Sequence, residues 1–185
     1  MRRYFVGLGV GLLLLSSAYL LVMSYVRNPE IQCLPYYTFR TILRITVTLV
    51  LSISTGLAFG ILAATNKYAN ATIVPFFDVL QSVPILGYFP AVIMFFISAF
   101  PPPSELGIEL SAILLLYTSM MWAIFFGVFG AVKTLPVNIL EASQAFGLRG
   151  FNYIRHIVLP AIIPALISGS TLAWCDGWFF MIVAE

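Results

Sequence analysis

Few side chains in this sequence could do chemistry, and many of them lie in one stretch, EASQAFGLRGFNYIRHIVLP, at residues 141–160. The stretch holds an acid, two arginines and a histidine, in a chain where 9% of residues are charged. His156 is the single histidine of the chain and has no acid or thiol close to it in sequence, so no metal-ligand set forms around it. A surface position for its imidazole is the simpler interpretation. We therefore expect no metal site, and the stretch must serve another purpose.

The familiar catalytic motifs are missing from the sequence. It contains no G-x-x-x-x-G-K-[ST], so the chain cannot hold ATP in a P-loop. It contains neither H-E-x-x-H nor G-x-S-x-G, which counts against an intramembrane protease or lipase. We predict that the chain is not an enzyme and carries no cofactor of its own.

The composition places the chain in a membrane. Of its 185 residues, 61% are hydrophobic, and the mean hydropathy is +1.02. Soluble domains are about 45–50% apolar and about 25% charged. A globular core cannot bury so much apolar surface, which makes lipid the expected solvent. The net charge of +2, with no basic cluster among aromatics, excludes nucleic acid as a partner.

The apolar residues fall into stretches that are long enough to span a bilayer. A spanning helix needs about 20 apolar residues. Five stretches approach or exceed this length, at residues 4–26, 42–64, 76–100, 106–132 and 161–184. The third is interrupted by Pro84, Gly87 and Pro90, and polar or breaker-rich connections such as NKYANAT separate the stretches. The sequence therefore predicts an all-α membrane protein with about five transmembrane helices.

The distribution of lysine and arginine predicts the orientation of these spans. Cytoplasmic connections carry an excess of basic residues. If the N-terminus is cytoplasmic, the inner side holds six basic residues and the outer side three; the six are Arg2, Arg3, Lys67, Lys133, Arg149 and Arg155. The loop 133–160 then faces the cytoplasm, in a multi-pass protein of the cell (plasma or inner) membrane.

Two short helices and a hinge are predicted within this loop. Thr134 can cap a helix start, with Pro136 tolerated in the first turn. Residues 137–146 favour helix, and Gly147 suits the left-handed position that ends one. One apolar stripe is formed by Ile139, Ala142 and Phe146. A helix this short cannot span a membrane, so it must lie on the surface or dock into a partner.

The sequence after the hinge predicts a second short amphipathic helix at residues 151–158. Pro160 and Pro164 each remove a backbone donor and should kink the entry to the fifth span. Two short helices on a glycine hinge, followed by a bent span, suit mechanical contact with a soluble partner.

Polar residues inside the apolar stretches are candidates for a translocation path. Asp176 lies in the fifth span, where a carboxylate is costly and marks a functional hypothesis. It lies in the outer third of that span, so a cavity-facing role and a hydrated interfacial position both remain open. Asp78, Gln81 and Ser82 precede Pro84, and a kinked polar segment either lines a cavity or packs in protein.

Arg40 and Arg44 stand at the leading end of the second span. Long basic side chains at such positions snorkel to the membrane interface. We expect that arrangement for both, with binding of an anionic substrate as the alternative.

The pattern EASQAFGLRGFNYIRHIVLPAIIP resembles the EAA motif of ABC-transporter permeases of the type I importer class. Glu141, Ala142 and Ser143 stand at its first three positions, Gly147 at its glycine, and Leu159 and Pro160 at its I-x-L-P end. Serine replaces the usual third alanine. FFDVLQSVPILGYFP and LAWCDGWFFMIVAE resemble the nitrate, sulfonate and taurine branch of that family.

The resemblance implies a type I ABC importer permease fold over residues 41–185, preceded by an N-terminal helix and outer loop at 1–40. It implies that loop 133–160 couples the membrane helices to a cytoplasmic ABC ATPase subunit, which binds the ATP. The coupling residues would be Glu141, Ala142, Ser143, Phe146, Gly147, Leu159 and Pro160.

The resemblance also implies further partners: an extracytoplasmic substrate-binding protein and a second permease unit, as a homodimer or a fused half. A small oxyanion of the nitrate, sulfonate or taurine type is the expected substrate. Relatives continue into a final membrane helix, which we expect to be absent from this chain. The alternative function is a fragment or a non-transporting membrane scaffold that retains the coupling loop.

Overall fold

The computed structural model describes residues 2–27 and 32–184, with side chains described for 13–26 and 32–184. We number its helices along the chain. They are α1 (Arg2–Arg27), α2 (Leu34–Thr65), α3 (Lys67–Ser82), α4 (Ile85–Ala99), α5 (Leu106–Lys133), α6 (Val137–Ala145) and α7 (Phe151–Ala184).

The chain divides into two compact units, Met1–Leu43 and Arg44–Glu185, with the boundary inside α2. The first unit contains α1, which has an apolar helical stretch at Leu13–Val26. The hydroxyls of Ser16, Ser17 and Ser24 each donate to a carbonyl three residues earlier in α1. These donors are therefore satisfied within the helix, which suits an apolar environment.

The second unit contains most of the helices that could cross a membrane. Three helices of the described chain, α2, α5 and α7, are long and apolar enough to span, and the pair α3–α4 passes the same test as one bent span. The prediction of an all-α membrane protein is confirmed.

The third predicted span has a different form from the one expected. The segment NKYANAT is not a connection: it belongs to α3, because the Asn66 side chain accepts from the N–H groups of Tyr68 and Ala69 and starts the helix early. The pair α3–α4 bends by 92° at residues 83–84. Pro84 stands at the start of α4, whereas Pro90 lies inside α4 without breaking it.

Helices α2, α5 and α7 pack closely because glycines line their contacts. A Cβ added at Gly56 would lie 2.8 Å from Ile124 Cγ2, and one at Gly60 would lie 2.9 Å from Val128 Cγ1. On α7, a Cβ at Gly169 would lie 3.1 Å from the Ala123 carbonyl oxygen. Small residues allow this approach of helix backbones in membranes. The core between them includes Ile45, Leu116, Met120, Ile124, Val128, Ile162 and Met181.

Candidate functional site

The start of α6 differs from the predicted one. Thr134 does not cap it; this residue ends α5, and its hydroxyl donates back to the carbonyls of Gly130 and Ala131 at 3.0 and 3.2 Å. Among the described residues, no N–H at the start of α6 donates to the Thr134 side chain. Helix α6 begins at Val137, after Pro136, without a side-chain cap.

The end of α6 is a Schellman motif with Gly147 in the left-handed conformation, as predicted. The φ angle of Gly147 is +71°. Its N–H donates to the Gln144 carbonyl at 3.0 Å, and the Leu148 N–H donates to the Ser143 carbonyl at 2.9 Å. These two bonds define the motif and satisfy carbonyls at the helix end. Gly150 also has a positive φ, of +54°, so the turn between α6 and α7 contains two such glycines.

Helix α6 presents one face to the protein and another to the outside. Ser143 is buried, and its hydroxyl donates to the Leu140 carbonyl at 2.7 Å. Glu141 and Ala142 are exposed, and Phe146 is 84% exposed. The third motif position therefore attaches α6 to its own chain, while the predicted apolar stripe faces outward.

The sequence analysis missed two further exposed apolar residues around α6. Val137 is 65% exposed and Phe151 is 73% exposed. Together with Phe146, they form an exposed apolar surface on this loop. Such a surface is typical of a contact site. The available signal was that Val137 begins the predicted docking helix and Phe151 begins the segment after the glycine hinge.

The predicted separate helix at residues 151–158 is continuous with the fifth span. The residues Ile154–Val158 form a π-helical turn inside α7, and the Leu159 N–H donates to the Ile154 carbonyl five residues back. Pro160 cannot donate a hydrogen bond, and the wider turn directly before it lets the helix continue. Leu159 is half-buried and Pro160 exposed, so the I-x-L-P end of the motif marks this wide turn.

Three of the translocation-path candidates lie together on α3. The Gln81 side-chain amide donates to Asp78 Oδ1 at 3.0 Å, and the Ser82 hydroxyl donates to the Asp78 carbonyl oxygen at 2.7 Å. All three residues are exposed, directly before the bend at Pro84. The cluster is a small polar surface at the elbow between α3 and α4.

Asp176 stands apart from this cluster. It is exposed on α7, next to Gly177, which is buried against Met120 and Ile45. In the described part of the chain no hydrogen bond or ion pair joins it to Asp78, Gln81 or Ser82. The two interpretations of Asp176 stay open.

The Arg44 side chain has a protein partner that was not predicted, and its snorkelling to the membrane interface stays a prediction. It forms a two-pronged ion pair with Glu109 of α5, with Nε to Oε2 and Nη2 to Oε1 both at 2.8 Å. The two side chains are 10% and 23% exposed. Pairing and hydrogen bonding are what allow a charge to lie at an apolar helix contact. Glu109 was not predicted as a functional residue. The signal that could have found it is an acid in the first turn of an apolar helix.

The sequence also matches a known protein family and several curated proteins. The family model described as binding-protein-dependent transport system inner membrane component matches residues 56–185. Similar curated proteins include the nitrate import permease protein of Synechococcus elongatus, 24% identical over 142 residues, covering 77% of this chain and 48% of that protein. The bicarbonate transport system permease protein of the same organism is 25% identical over 130 residues, covering 70% and 44%.

The taurine transport system permease protein of Escherichia coli is 24% identical over 143 residues, covering 77% of this chain and 48% of that protein. The chain thus spans about half the length of the curated relatives it matches.

Proposed function

Because the chain belongs to the binding-protein-dependent transport system inner membrane component family, we propose that it is a transmembrane permease subunit of an ATP-driven importer. The observation that carries this proposal is α6, a short helix held by buried Ser143 with Glu141, Ala142 and Phe146 turned outward. An aromatic side chain with 84% exposure is suited to insertion into a groove on another protein.

The proposed partner at α6 is a cytoplasmic ABC ATPase subunit. Glu141 lies at the middle of α6, and Phe146 follows its last residue and precedes the left-handed Gly147. Closure of the ATPase would move α6, and α6 is connected by short turns to α5 and α7. The hinge at Gly147 and the π turn before Pro160 would set how α6 is held relative to α7.

The other proposed partners follow from the family. An extracytoplasmic substrate-binding protein would deliver the substrate, and a second permease unit, identical or fused, would complete the path. Relatives are named for nitrate, bicarbonate and taurine, which supports a small oxyanion as the substrate class.

The first prediction tests the orientation that this function requires. The six-to-three distribution of basic residues supports a cytoplasmic N-terminus and a cytoplasmic residue 150. A reporter fused after Gly150 should be active in a cytoplasmic assay, and one fused after Pro102 should be active outside. Activity of the Gly150 fusion on the outer side would rule out contact between α6 and a cytoplasmic ATPase.

The second prediction concerns the path. We propose that Asp176 and the cluster of Asp78, Gln81, Ser82 and Pro84 line it. A leucine at position 176 is cheaper to insert than an acid, by about 2.5–3.5 kcal/mol at mid-bilayer and less near the interface. Asp176→Leu should therefore insert normally or better, while substrate uptake falls.

The Asp176→Asn variant serves as the control, because it keeps size and polarity but removes the charge. Normal uptake in both variants would assign Asp176 to the hydrated interface and remove it from the path.

A further inference from the structure

A cavity of about 630 Å³ lies between α2, α3, α4 and α5. Aromatic and aliphatic side chains form most of its wall, among them Phe59, Phe76, Phe77, Tyr88, Met121 and Trp122. The exposed polar residues of α3, Asp78, Gln81 and Ser82, are not on this wall. Helix α3 thus turns an apolar face to the cavity and a polar face elsewhere.

The 92° bend between α3 and α4 explains why the space is open. Phe77 of α3 packs against α5. Its ring lies edge-on to Phe125, with centroids 4.6 Å apart, and edge-on to Trp122, with centroids 5.5 Å apart. Beyond Val83 the chain turns sharply into α4. The elbow therefore leaves a gap that side chains do not fill.

The hydroxyls near the cavity already have partners. Tyr88 donates to Thr118 Oγ1 at 3.1 Å, and the Thr118 hydroxyl donates to the Leu115 carbonyl at 2.9 Å. Tyr117 donates to Thr55 Oγ1 at 3.0 Å. A buried water typically makes about three hydrogen bonds to polar groups, and apolar cavities stay dry and accept apolar ligands. The wall therefore favours an apolar occupant over water or a bare oxyanion.

The cavity lies beside the middle of α5, which in a spanning helix corresponds to the hydrocarbon core, and it opens onto exposed apolar side chains. At about 1.5 Å per residue, Thr118 is roughly 20 Å from either end of α5. Three wall residues are also among the exposed apolar side chains: Phe76 at 59%, Val83 at 43% and Leu80 at 40%. An apolar molecule in the bilayer can pass from that surface into the cavity without crossing a polar rim.

We propose that this cavity binds an acyl chain of a membrane phospholipid. The occupant must be apolar, flexible and present at mid-bilayer, and an acyl chain meets all three conditions. The chain fills the elbow between α3 and α4 and restores the van der Waals contacts that an empty cavity lacks. The site is separate from the proposed translocation path, because its wall is mostly apolar, whereas an anion needs several hydrogen-bond donors.

Trp122 on the wall provides a native fluorescent probe for the test. The sequence has three tryptophans, so Trp174→Phe with Trp178→Phe leaves Trp122 as the single emitter. The variant is reconstituted in phosphatidylcholine bilayers with or without bromine atoms in the middle of the acyl chains. Bromine quenches tryptophan emission on contact, so Trp122 emission should be lower in the brominated bilayer than in the unbrominated one if lipid occupies the cavity.

Filling the cavity tests whether the quenching comes from inside it. Ile73→Phe with Val83→Phe adds two rings to the wall, and most of the quenching of Trp122 should then disappear. The matched control keeps Trp178, 40% exposed, as the single emitter through Trp122→Phe and Trp174→Phe. Its quenching should be the same with and without the filling substitutions, which also verifies that the filled protein inserts.

Three outcomes would overturn the proposal. Quenching of Trp122 by aqueous iodide and not by the brominated lipid would mean that the cavity holds water. Absence of quenching by either would mean that protein covers it. Lipid quenching that persists in the filled variant would place the contact on the outer surface of Trp122.

Discussion

Replacing Glu109 with leucine should lower the free energy of unfolding by about 3–5 kcal/mol, because it removes a carboxylate from a guanidinium that is 10% exposed. Both hydrogen bonds from Arg44 to Glu109 are 2.8 Å long, and the pair joins α2 to α5 across 65 residues of sequence. The cost comes from the loss of two charge-assisted hydrogen bonds to the Arg44 guanidinium at an apolar helix contact. The measurement is a denaturant titration of the purified protein in detergent micelles.

A double-mutant cycle separates the pair from other effects of the substitution. Arg44→Met with Glu109→Leu replaces the ion pair with apolar side chains, an exchange that is often neutral or stabilising. The double variant should therefore recover most of the stability that the single variant loses. If it is as unstable as Glu109→Leu, the loss comes from packing and not from the ion pair.

Gly147→Val should uncouple ATP hydrolysis from uptake while the protein inserts normally. The φ of Gly147 is +71°, and a left-handed backbone costs an ordinary residue roughly 1–2 kcal/mol. That energy corresponds to about a 5- to 30-fold lower population of the Schellman turn. Without this turn, Phe146 and Glu141 are presented at a different angle to the proposed ATPase groove.

The measurement has two parts: recovery of the ATPase subunit on pull-down, and substrate uptake per ATP hydrolysed in reconstituted membranes. Gly130→Val is the matched control. A Cβ at either glycine meets no heavy atom within 4 Å, but Gly130 lies in α5 and lacks a positive φ. The coupling role of α6 is falsified if both quantities in Gly147→Val equal those of the wild type.

The helical character of the apolar stretches and the left-handed glycine at 147 were predicted from local properties of the sequence, and the described residues confirm both. Membrane helices follow from runs of about 20 apolar residues, because each span must bury its own backbone in lipid. The left-handed residue at Gly147 follows from glycine after a helical pattern, since glycine lacks the Cβ that penalises positive φ. The EAA motif predicted the family, and the family model matches residues 56–185.

Local patterns were less reliable at helix ends. Thr134 and Asn66 are both good cap residues, yet the structure uses Asn66 to start α3 and turns the Thr134 hydroxyl back into α5. A residue of this kind can hydrogen-bond to the helix before it or to the helix after it. The packing of the neighbouring helices determines which of the two it does. Residues 151–158 were predicted as a separate short helix, but they continue into the fifth span through the π turn before Pro160.

Tertiary structure alone decided which distant residues meet. Nothing in the sequence near Arg44 predicts Glu109 as its partner; the pair forms because Gly56 and Gly60 let α2 approach α5 in one register. The inward position of Ser143 and the cavity beside the α3–α4 elbow have the same origin. Apolar length and backbone preference are properties of a segment, whereas the register between helices depends on side chains that are far apart in the sequence.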